Sequence, residues 1–420
     1  MATGIRALVT APSVRETTSP SSLSDSFAAI PARRKLEVLH VGKFYPPHMG
    51  GIETHLEGLC QELRKSADVQ VVVANDHRSA IEETLDGVRV SRVPTWLTLA
   101  SMPLAPAMIA KLRAFRGDIL HLHLPNPMAV MAYLASGYRG PVVVTYHSDM
   151  VRQKILGPLF EPWLHAALRR SSAIIATSPN YLRTSRVLAH HQERCHVIPL
   201  GTAIESFGRC DPSAAAAVRQ QYGDRLIVSV GRLVYYKGFE YLIRAMTKVS
   251  GKLLIVGQGP LRNKLSALAS ELGVTDRVVF LGKIDHDSLV ACYHAAQVFV
   301  LASVVRSEAF GIAQIEAMAA GLPVVNTNLD SGVPFVSLHE KTGLTVPPED
   351  SGELAAAINR LLDSPDLRAT YGRAAALRAK QEFTVEVMAN RTLALYERIA
   401  PAKTPVTSLP NESLQLQPPH

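Results

Sequence analysis

The feature that most limits the fold of this chain is the alternation of short apolar runs with segments of helical periodicity. The first apolar run covers 36–41 and ends in a turn rich in Pro and Gly. Apolar residues at helical spacing follow over 52–63, and a second apolar run covers 69–74. A strand, a helix and a second strand in this order predict a parallel βαβ unit.

The same alternation continues along most of the chain and falls into two series. The predicted strands of the first series are 36–41, 69–74, 118–122, 141–146 and 173–177, and those of the second are 226–230, 252–256, 278–281, 298–302 and 323–326. Such uninterrupted apolar runs are typical of parallel sheets that are covered by helices on each side. The predicted fold class is therefore α/β, with two doubly wound, Rossmann-like domains facing a cleft.

Domain boundaries follow from the composition of the segments around these series. Residues 1–34 are rich in Ser, Thr, Pro and Ala, and 401–420 in Pro, Ser and Gln, so both ends are predicted to be disordered. An N-terminal domain is predicted over 35–200 and a C-terminal domain over 201–384. Apolar positions at helical spacing within 385–400 predict a closing helix.

Charge and cysteine content limit the partners and the compartment. Lys and Arg number 44 against 36 Asp and Glu, and the net charge of +8 favours an anionic partner such as a phosphate, a nucleotide or an acidic membrane surface. The four cysteines lack a CxxC pair, so a reducing, cytoplasmic location is expected. Because proline interrupts the longest uncharged stretches and the N-terminal segment has no apolar core, we expect neither a transmembrane helix nor a secretory signal.

Ligands of open α/β sheets bind beyond the carboxyl ends of the strands, so two facing sheets predict one deep cleft. Gly50 and Gly51 lie between the first predicted strand and the helix that follows it. Glycines let the backbone approach a ligand, and free amides at a helix start favour a phosphate or another anion. Taken alone, the pair indicates either a ligand contact or a plain tight turn, which is the commoner reason for two glycines.

A basic segment opens the second series. Gly231, Arg232 and Lys237 lie directly after an apolar strand. Two cations five positions apart at a strand end can both reach a diphosphate, the guanidinium as a fork and the ammonium as a point charge. A solvated basic loop without function fits the spacing equally well.

Two glutamates follow the strand predicted at 298–302. A helix that begins near Gly311 would place Glu316 about a turn and a half inside it and Glu308 in the preceding loop. The two carboxylates could then bind different parts of one ligand, although Glu308 also suits the positive end of the helix dipole. Glu316 has apolar neighbours on both sides, and a buried acid needs a partner.

Three further patterns favour structural roles. The Asp-His-Asp triplet at 285–287 matches a metal-binding pattern by letters, but its position favours a helix cap. His121 and His123 alternate on one predicted strand, where a metal would need further ligands that the sequence does not identify, so a cleft-facing or core role is favoured. Gly257 and Gly259 lack the third glycine of a dinucleotide fingerprint, which disfavours a Rossmann oxidoreductase.

Five segments indicate a family when they are considered together and in their order along the chain. They are GGIE at 50–53, GRLVYYKG at 231–238, VGQGP at 256–260, VVFLGK at 278–283 and SEAFGIAQIEAMAAGLPVV at 307–325. The combination resembles the family 4 glycosyltransferases, retaining enzymes of the GT-B fold with two Rossmann-like domains. The resemblance covers about residues 35–400, and the last segment, with its two glutamates, is the most specific.

The resemblance implies four catalytic positions. Arg232 and Lys237 would neutralise the diphosphate of a nucleotide-sugar donor and stabilise the charge that develops on it, so no metal or other cofactor is expected. Glu308 would hold hydroxyl groups of the donor sugar. His147, at the end of the strand predicted at 141–146, matches a family position near that sugar, and an ordinary loop histidine is the alternative.

Donor binding would use glycine loops, backbone amides and one further carboxylate. The implied donor-binding positions are Gly50, Gly51, Gly231, Gly259, Phe310, Gly311, Ile312 and Glu316. The amides after Phe310 would assist Glu308 at the sugar, and Glu316 would bind the nucleotide ribose.

The implied activity is transfer of a hexose to a glycan or lipid-linked saccharide acceptor in polysaccharide biosynthesis. Phe335 stands where an acid is common in the family, a variant that is similar to mannosyl- and rhamnosyltransferase-like members of bacterial polysaccharide pathways. GDP-mannose is therefore the expected donor, with a UDP-hexose as the alternative. The loop that carries Phe335 follows a predicted strand and is expected at the cleft.

Other functions are compatible with a fold of this class, but the residues disfavour them. An epimerase or a phosphorylase of the same fold is disfavoured by the glutamate spacing and by the lack of a candidate pyridoxal lysine. A non-catalytic nucleotide-sugar-binding protein is disfavoured because the four charged site residues are all present, namely Arg232, Lys237, Glu308 and Glu316. No nucleic acid partner is expected. The basic balance and the apolar stretch 97–110 predict weak peripheral association with the inner face of an anionic membrane, although this stretch could equally pack in the cleft.

Overall fold

The computed structural model describes residues 34–48, 50–99, 102–149 and 156–401. They form an eight-stranded sheet, a six-stranded sheet and a two-stranded ribbon. The α/β fold class with two Rossmann-like halves is confirmed, because each large sheet is built mainly from parallel strands joined by helices. The tails predicted at 1–34 and 401–420 lie outside the described residues, except for Arg34 and Pro401.

The first half contains the eight-stranded sheet and the ribbon. In chain order its strands are β1 (Leu36–Val41), β2 (Ala67–Ala74), β3 (Ile81–Leu85), β4 (Val88–Val93), β5 (Leu97–Leu99), β6 (Met102–Leu104), β7 (Ile119–Leu124), β8 (Val142–Tyr146), β9 (Ala173–Ala176) and β10 (Cys195–Val197). The sheet has the order β10-β9-β8-β7-β1-β2-β4-β3, and β5 pairs with β6 in the ribbon. Because β1 pairs with β2 on one side and β7 on the other, it is central.

Helices cover both faces of this sheet. They are α1 (Gly51–Leu63), α2 (Ala107–Ala114), α3 (Pro127–Ser136), α4 (Leu156–Arg170) and α5 (Pro179–Thr184), with short 3-10 helices at Leu188–His190 and Gln192–Arg194. Val38 of β1 packs in a core cluster with residues of α1, whereas its neighbour Leu39 packs with residues of α2 and α3. Successive residues are thus buried on opposite faces, which explains the uninterrupted apolar runs.

The hairpin of β3 and β4 was not predicted. The two strands are antiparallel and are joined by Asp86 and Gly87, both with positive φ (47° and 79°). β3 is mostly exposed and carries polar residues at the edge of the sheet, so it lacks the apolar run that revealed the central strands.

The second half contains the six-stranded parallel sheet. Its strands are β11 (Leu226–Val230), β12 (Lys252–Val256), β13 (Val278–Gly282), β14 (Val298–Leu301), β15 (Val324–Thr327) and β16 (Gly343–Val346), in the order β13-β12-β11-β14-β15-β16. Five of these strands were predicted, and β16 was not. The order reverses between β11 and β14, which is the switch point where open α/β sheets bind ligands.

Nine helices of the described chain follow the first half. They are α6 (Pro212–Tyr222), α7 (Phe239–Ala245), α8 (Arg262–Glu271), α9 (His286–Ala295), α10 (Ile312–Ala319), α11 (Val333–Val336), α12 (Ser351–Asp363), α13 (Pro365–Glu382) and α14 (Val385–Ile399), with a 3-10 helix at Tyr235–Lys237. Among the described residues, no helix is both long and apolar enough to cross a membrane.

The last helix returns to the first half of the chain. Thr384 caps α14, whose residues Met388, Leu395 and Tyr396 pack in the same core cluster as Val38. Tyr396 Oη also contacts His121 Nδ1 on β7. The end of the described chain therefore completes the core beside α1.

Candidate active site

Lys237 and Glu308, two of the predicted catalytic residues, form an ion pair. Lys237 Nζ lies 2.5 Å from Glu308 Oε2, and the two side chains are only 13% and 10% exposed. Ser303 Oγ donates a hydrogen bond to the same oxygen at 2.9 Å. Burial alone would lower the pKa of Lys237, but the Glu308 carboxylate opposes this and the pKa is raised. The ammonium therefore stays charged and can exchange its partner for a bound anion.

Arg232 lies on the loop directly after β11 and is exposed. In the described parts of the chain its guanidinium has no ion-pair or hydrogen-bond partner. The fork of donors is therefore available to an anion at the switch point of the sheet.

The loop from β14 leads into α10, which begins at Ile312 as the sequence predicted. Gly311 has φ 77°, and a Cβ there would lie 2.6 Å from Leu301 Cδ2, so this position requires glycine. No described side chain caps this helix start. The Phe310 side chain is buried, so the residues at the start of α10 can present only their backbone amides to a ligand. Uncapped amides beside Glu308 can bind an oxygen-rich ligand.

Glu316 lies inside α10, and its partner comes from α9. Tyr293 Oη donates a hydrogen bond to Glu316 Oε2 at 2.8 Å. Burial raises the pKa of Glu316, while Tyr293, His286 and Lys237 oppose the shift. The second oxygen of this carboxylate can accept hydroxyl groups such as those of a ribose.

The start of α1 is open in the same way. Gly50 has an extended backbone (φ −175°), and no described side chain caps the helix. A Cβ at Gly51 would meet nothing within 4 Å, while one at Gly50 would lie 2.3 Å from Glu53 Oε2. Neither glycine has a positive φ that would require it, and donor contact by Gly50 and Gly51 stays a prediction.

Two other sequence patterns have clear structural roles. Gly231 N donates to Val256 O at 2.9 Å, and a Cβ at Gly259 would lie 2.4 Å from Leu233 O, so these glycines let two loops pack backbone to backbone. Donor contact by Gly231 and Gly259 stays a prediction. Asp285 forms the predicted cap of α9, since its Oδ1 accepts from Ser288 N at 2.8 Å.

His147 follows β8 directly and is 5% exposed. Its Nε2 lies 3.3 Å from His123 Nδ1, and His123 Nε2 lies 3.0 Å from His40 Nδ1. Burial lowers the pKa of His147, with a smaller contribution from His55. The sequence singled out the pair His121 and His123 and, apart from it, His147. It did not reveal their association with one another and with His40, because β1, β7 and the end of β8 are far apart along the chain.

Polar contacts that the sequence did not predict join the two halves near the site. Arg306 Nη2 forms an ion pair with Asp149 Oδ2 at 3.0 Å, and Arg306 Nη1 donates to Thr184 O at 2.9 Å. Thr184 Oγ1 donates to Asp330 O at 3.0 Å. Because Arg306 lies two residues before Glu308 and Asp149 two residues after His147, these contacts bring both loops to one cleft.

Comparisons with known proteins agree with this architecture. The model described as "Glycosyltransferase Family 4" matches residues 49–206, and that described as "Glycosyl transferases group 1" matches residues 214–378. D-rhamnosyltransferase WbpZ of Pseudomonas aeruginosa is 32% identical over 353 residues, which cover 83% of this chain and 92% of the relative. The chain belongs to glycosyltransferase family 4. The predicted resemblance is confirmed.

Further relatives of this family 4 glycosyltransferase include one whose name states its donor. The GDP-mannose-dependent alpha-(1-6)-phosphatidylinositol monomannoside mannosyltransferase of Mycolicibacterium smegmatis is 31% identical over 358 residues, 80% of this chain and 91% of the relative. Among solved structures, sucrose-phosphate synthase from Thermosynechococcus elongatus matches with a TM-score of 0.73 and 26% identity, over 87% of this chain and 99% of that one. The match extends over both halves, as expected for the GT-B fold.

The unusual Phe335 of this glycosyltransferase packs inside the second half. Its ring centroid lies 6.1 Å from that of Phe383, and the Arg378 guanidinium lies 5.2 Å from it. Phe335 does not lie on a loop as predicted, because Val333–Val336 form the short helix α11. The start of this helix does adjoin the site, because Gly332 N donates to Ala309 O at 2.7 Å. The backbone before α11 is therefore near Glu308, whereas the Phe335 side chain packs against the core.

Proposed function

We propose that this glycosyltransferase moves a hexose from a nucleotide sugar to a glycan or lipid-linked saccharide acceptor, with retention of the anomeric configuration. The observation that carries the proposal is the Lys237–Glu308 pair beside the uncapped start of α10. A cation suits the diphosphate of the donor, and a carboxylate with nearby amides suits the hydroxyl groups of its sugar.

The residues can assist the transfer in a simple way. Breaking the bond between the sugar and the diphosphate places negative charge on the leaving oxygens, so fixed cations stabilise the transition state more than the ground state. Lys237 would leave Glu308 for the diphosphate, and Arg232 would bind it from the exposed loop. Glu308 is then released to accept sugar hydroxyls, while the acceptor attacks from the face that the diphosphate leaves.

Mannose from GDP-mannose is the donor that we favour. One relative is named as GDP-mannose-dependent, and another as a D-rhamnosyltransferase. D-rhamnose is 6-deoxymannose, so both sugars have the same stereochemistry at the remaining ring carbons. Both sugars have an axial hydroxyl at C2, and they differ only at C6. A UDP-hexose is the second candidate.

The test is a comparison of donors with purified protein. Release of nucleotide from GDP-mannose, GDP-D-rhamnose and UDP-glucose is measured with and without a crude lipid acceptor fraction. Wild-type protein should prefer GDP-mannose, and Glu308→Gln should lose most turnover. The matched control is Glu271→Gln at the exposed end of α8, which should keep wild-type rates. Nucleotide binding without any turnover would favour a non-catalytic binding protein, and preference for UDP-glucose would overturn the mannose assignment.

We also propose that transfer needs no metal or other cofactor, because Arg232 and Lys237 supply the positive charge at the diphosphate. The rate of transfer should not fall after exhaustive treatment with a chelator. A loss that manganese or magnesium restores would contradict this, since those ions would then be the missing counter-charge.

Finally, we propose that the enzyme works in the cytoplasm and associates weakly with the inner membrane face through the ribbon of β5 and β6. Trp96, Leu97 and Leu99 are 65%, 58% and 54% exposed, and neighbouring exposed apolar side chains suit contact with a membrane. The protein should float with anionic vesicles at low salt and be released at high salt. Flotation that is unchanged in Trp96→Ser/Leu97→Ser would exclude the ribbon as the contact.

A further inference from the structure

Five buried histidines meet in the first half, and we call them the histidine cluster: His40 on β1, His55 on α1, His121 and His123 on β7, and His147 after β8. The ring centroids of His121 and His123 are 4.4 Å apart, and those of His55 and His147 are 4.6 Å apart. Imidazole rings from three neighbouring strands of one sheet and from the helix α1 therefore converge on one small volume.

His55 stands out within the histidine cluster. It is 5% exposed, yet neither ring nitrogen has a hydrogen-bond partner among the described residues. A buried polar group without a partner destabilises the fold, and such a group indicates a bound water, ion or ligand. Both nitrogens of His55 are thus available to something that the protein binds.

The distances between the imidazole nitrogens indicate which kind of ligand the histidine cluster can bind. His123 Nδ1 and His147 Nε2 are 3.3 Å apart, and a nitrogen of His55 lies within 4.8 Å of both. Tetrahedral zinc with bonds of about 2.0–2.1 Å to nitrogen separates its ligand atoms by about 3.3–3.4 Å. The contact from His123 Nε2 to His40 Nδ1 would fix the tautomer that leaves a lone pair on His123 Nδ1, as outer hydrogen bonds do in metal sites.

A second trio in the histidine cluster, His40, His121 and His123, is less suitable. His121 Nε2 lies 2.7 Å from Thr145 Oγ1, and its Nδ1 contacts Tyr396 Oη. Both nitrogens of His121 are thus already used, and a metal there would have to break one of these contacts.

We propose that His55, His123 and His147 form a binding site for a transition-metal ion of the zinc type. Imidazole suits Zn²⁺, Co²⁺ and Ni²⁺, whereas Mg²⁺ and Ca²⁺ prefer oxygen ligands. Three ligands leave a fourth position open. Because all three imidazoles are neutral as ligands, an anion such as hydroxide or a phosphate oxygen fits that position.

A metal ion bound at this site would affect sugar transfer, a consequence that rests on the proposed function. The ion would take Nε2 of His147, the residue expected near the donor sugar. The metal-loaded enzyme should therefore be inhibited, so the ion is a regulator or an inhibitor of transfer and not its cofactor. Metal binding itself does not depend on that function and can be measured without any sugar.

The test is a titration of the full-length, metal-free protein with Co²⁺ under reducing conditions. We expect saturation at a single equivalent, visible d–d absorption typical of tetrahedral Co²⁺, and loss of the signal when Zn²⁺ displaces it. His55→Ala and His147→Ala each remove one ligand and should weaken binding at least about tenfold. His77→Ala, on an exposed loop, is the matched control and should bind like wild type. Circular dichroism and melting temperature establish that each variant is folded.

Three results would overturn the site: no Co²⁺ spectrum with wild type, binding that both ligand variants retain, or a thiolate charge-transfer band that indicates one of the four cysteines. Binding as expected without inhibition of transfer would leave the site standing and remove its effect on His147. Absence of any transfer activity in metal-free protein would count against the proposed function alone.

Discussion

At the scale of single residues, the two cations of the site differ in their burial and in their partners within the protein. Arg232 is exposed and Lys237 is paired with Glu308, so Arg232→Ala and Lys237→Ala should both lower turnover by about 10²-fold. Only Lys237→Ala leaves a buried carboxylate without its cation, and it should lower the free energy of unfolding by up to about 3 kcal/mol. Rates and thermal melts of both variants check this. Near-normal turnover in either would remove that residue from the site.

Glu316 should show a trade-off between stability and binding. Burial raises its pKa, so the unfolded chain loses this proton at lower pH than the folded protein, and stability falls as pH rises through that window. Glu316→Gln avoids the buried charge and can still accept from Tyr293. The variant should melt higher than wild type near neutral pH, by an amount that shrinks toward pH about 5, and should bind nucleotide less tightly. A gap that is independent of pH would contradict the assignment.

Sequence reasoning identified the charged residues of the site but not what they touch. Arg232, Lys237, Glu308 and Glu316 stood out by motif, yet the pairing of Lys237 with Glu308 depends on how two loops of one sheet meet. The contacts of His40 with His123 arise from strand pairing, which spacing along the chain does not reveal.

At the scale of elements, α14 ties the end of the described chain to the first sheet. Tyr396 contacts His121, and both are fully buried. Tyr396→Phe would leave one ring nitrogen of His121 without a partner and should cost about 1–3 kcal/mol of stability. Chemical unfolding measures this, with Tyr235→Phe, 52% exposed, as the control. Equal stability of the two variants would show that the contact contributes nothing.

At the same scale, the buried strands were easier to predict from the sequence than the exposed ones. The central strands of both sheets are buried on both faces and mostly apolar, and their runs were found from sequence. The edge strand β3 has the sequence Ile-Glu-Glu-Thr-Leu and β16 has the sequence Gly-Leu-Thr-Val, so neither contains an uninterrupted apolar run. The packing of α14 on α1 could not be predicted, because its apolar face fits any core.

At the scale of the whole molecule, the contacts of Arg306 with Asp149 and Thr184 connect the two halves. Arg306→Ala removes both, so the unliganded variant should be more open and show a larger radius of gyration in small-angle scattering. Turnover should fall because the loops that carry His147 and Glu308 are then less often held together. Arg360→Ala breaks an exposed ion pair within the second half and is the control. Identical scattering by both variants would exclude a role in closure.

The central claim, retaining transfer of mannose at a site built by both halves, is tested most directly by the anomeric configuration of the product. Purified enzyme is incubated with GDP-mannose and a lipid-linked saccharide acceptor, and the new linkage is assigned by nuclear magnetic resonance. We predict an α-mannosyl linkage that forms with wild type and Glu271→Gln but not with Glu308→Gln. A β linkage, or an α linkage formed at the same rate by Glu308→Gln, would contradict the account.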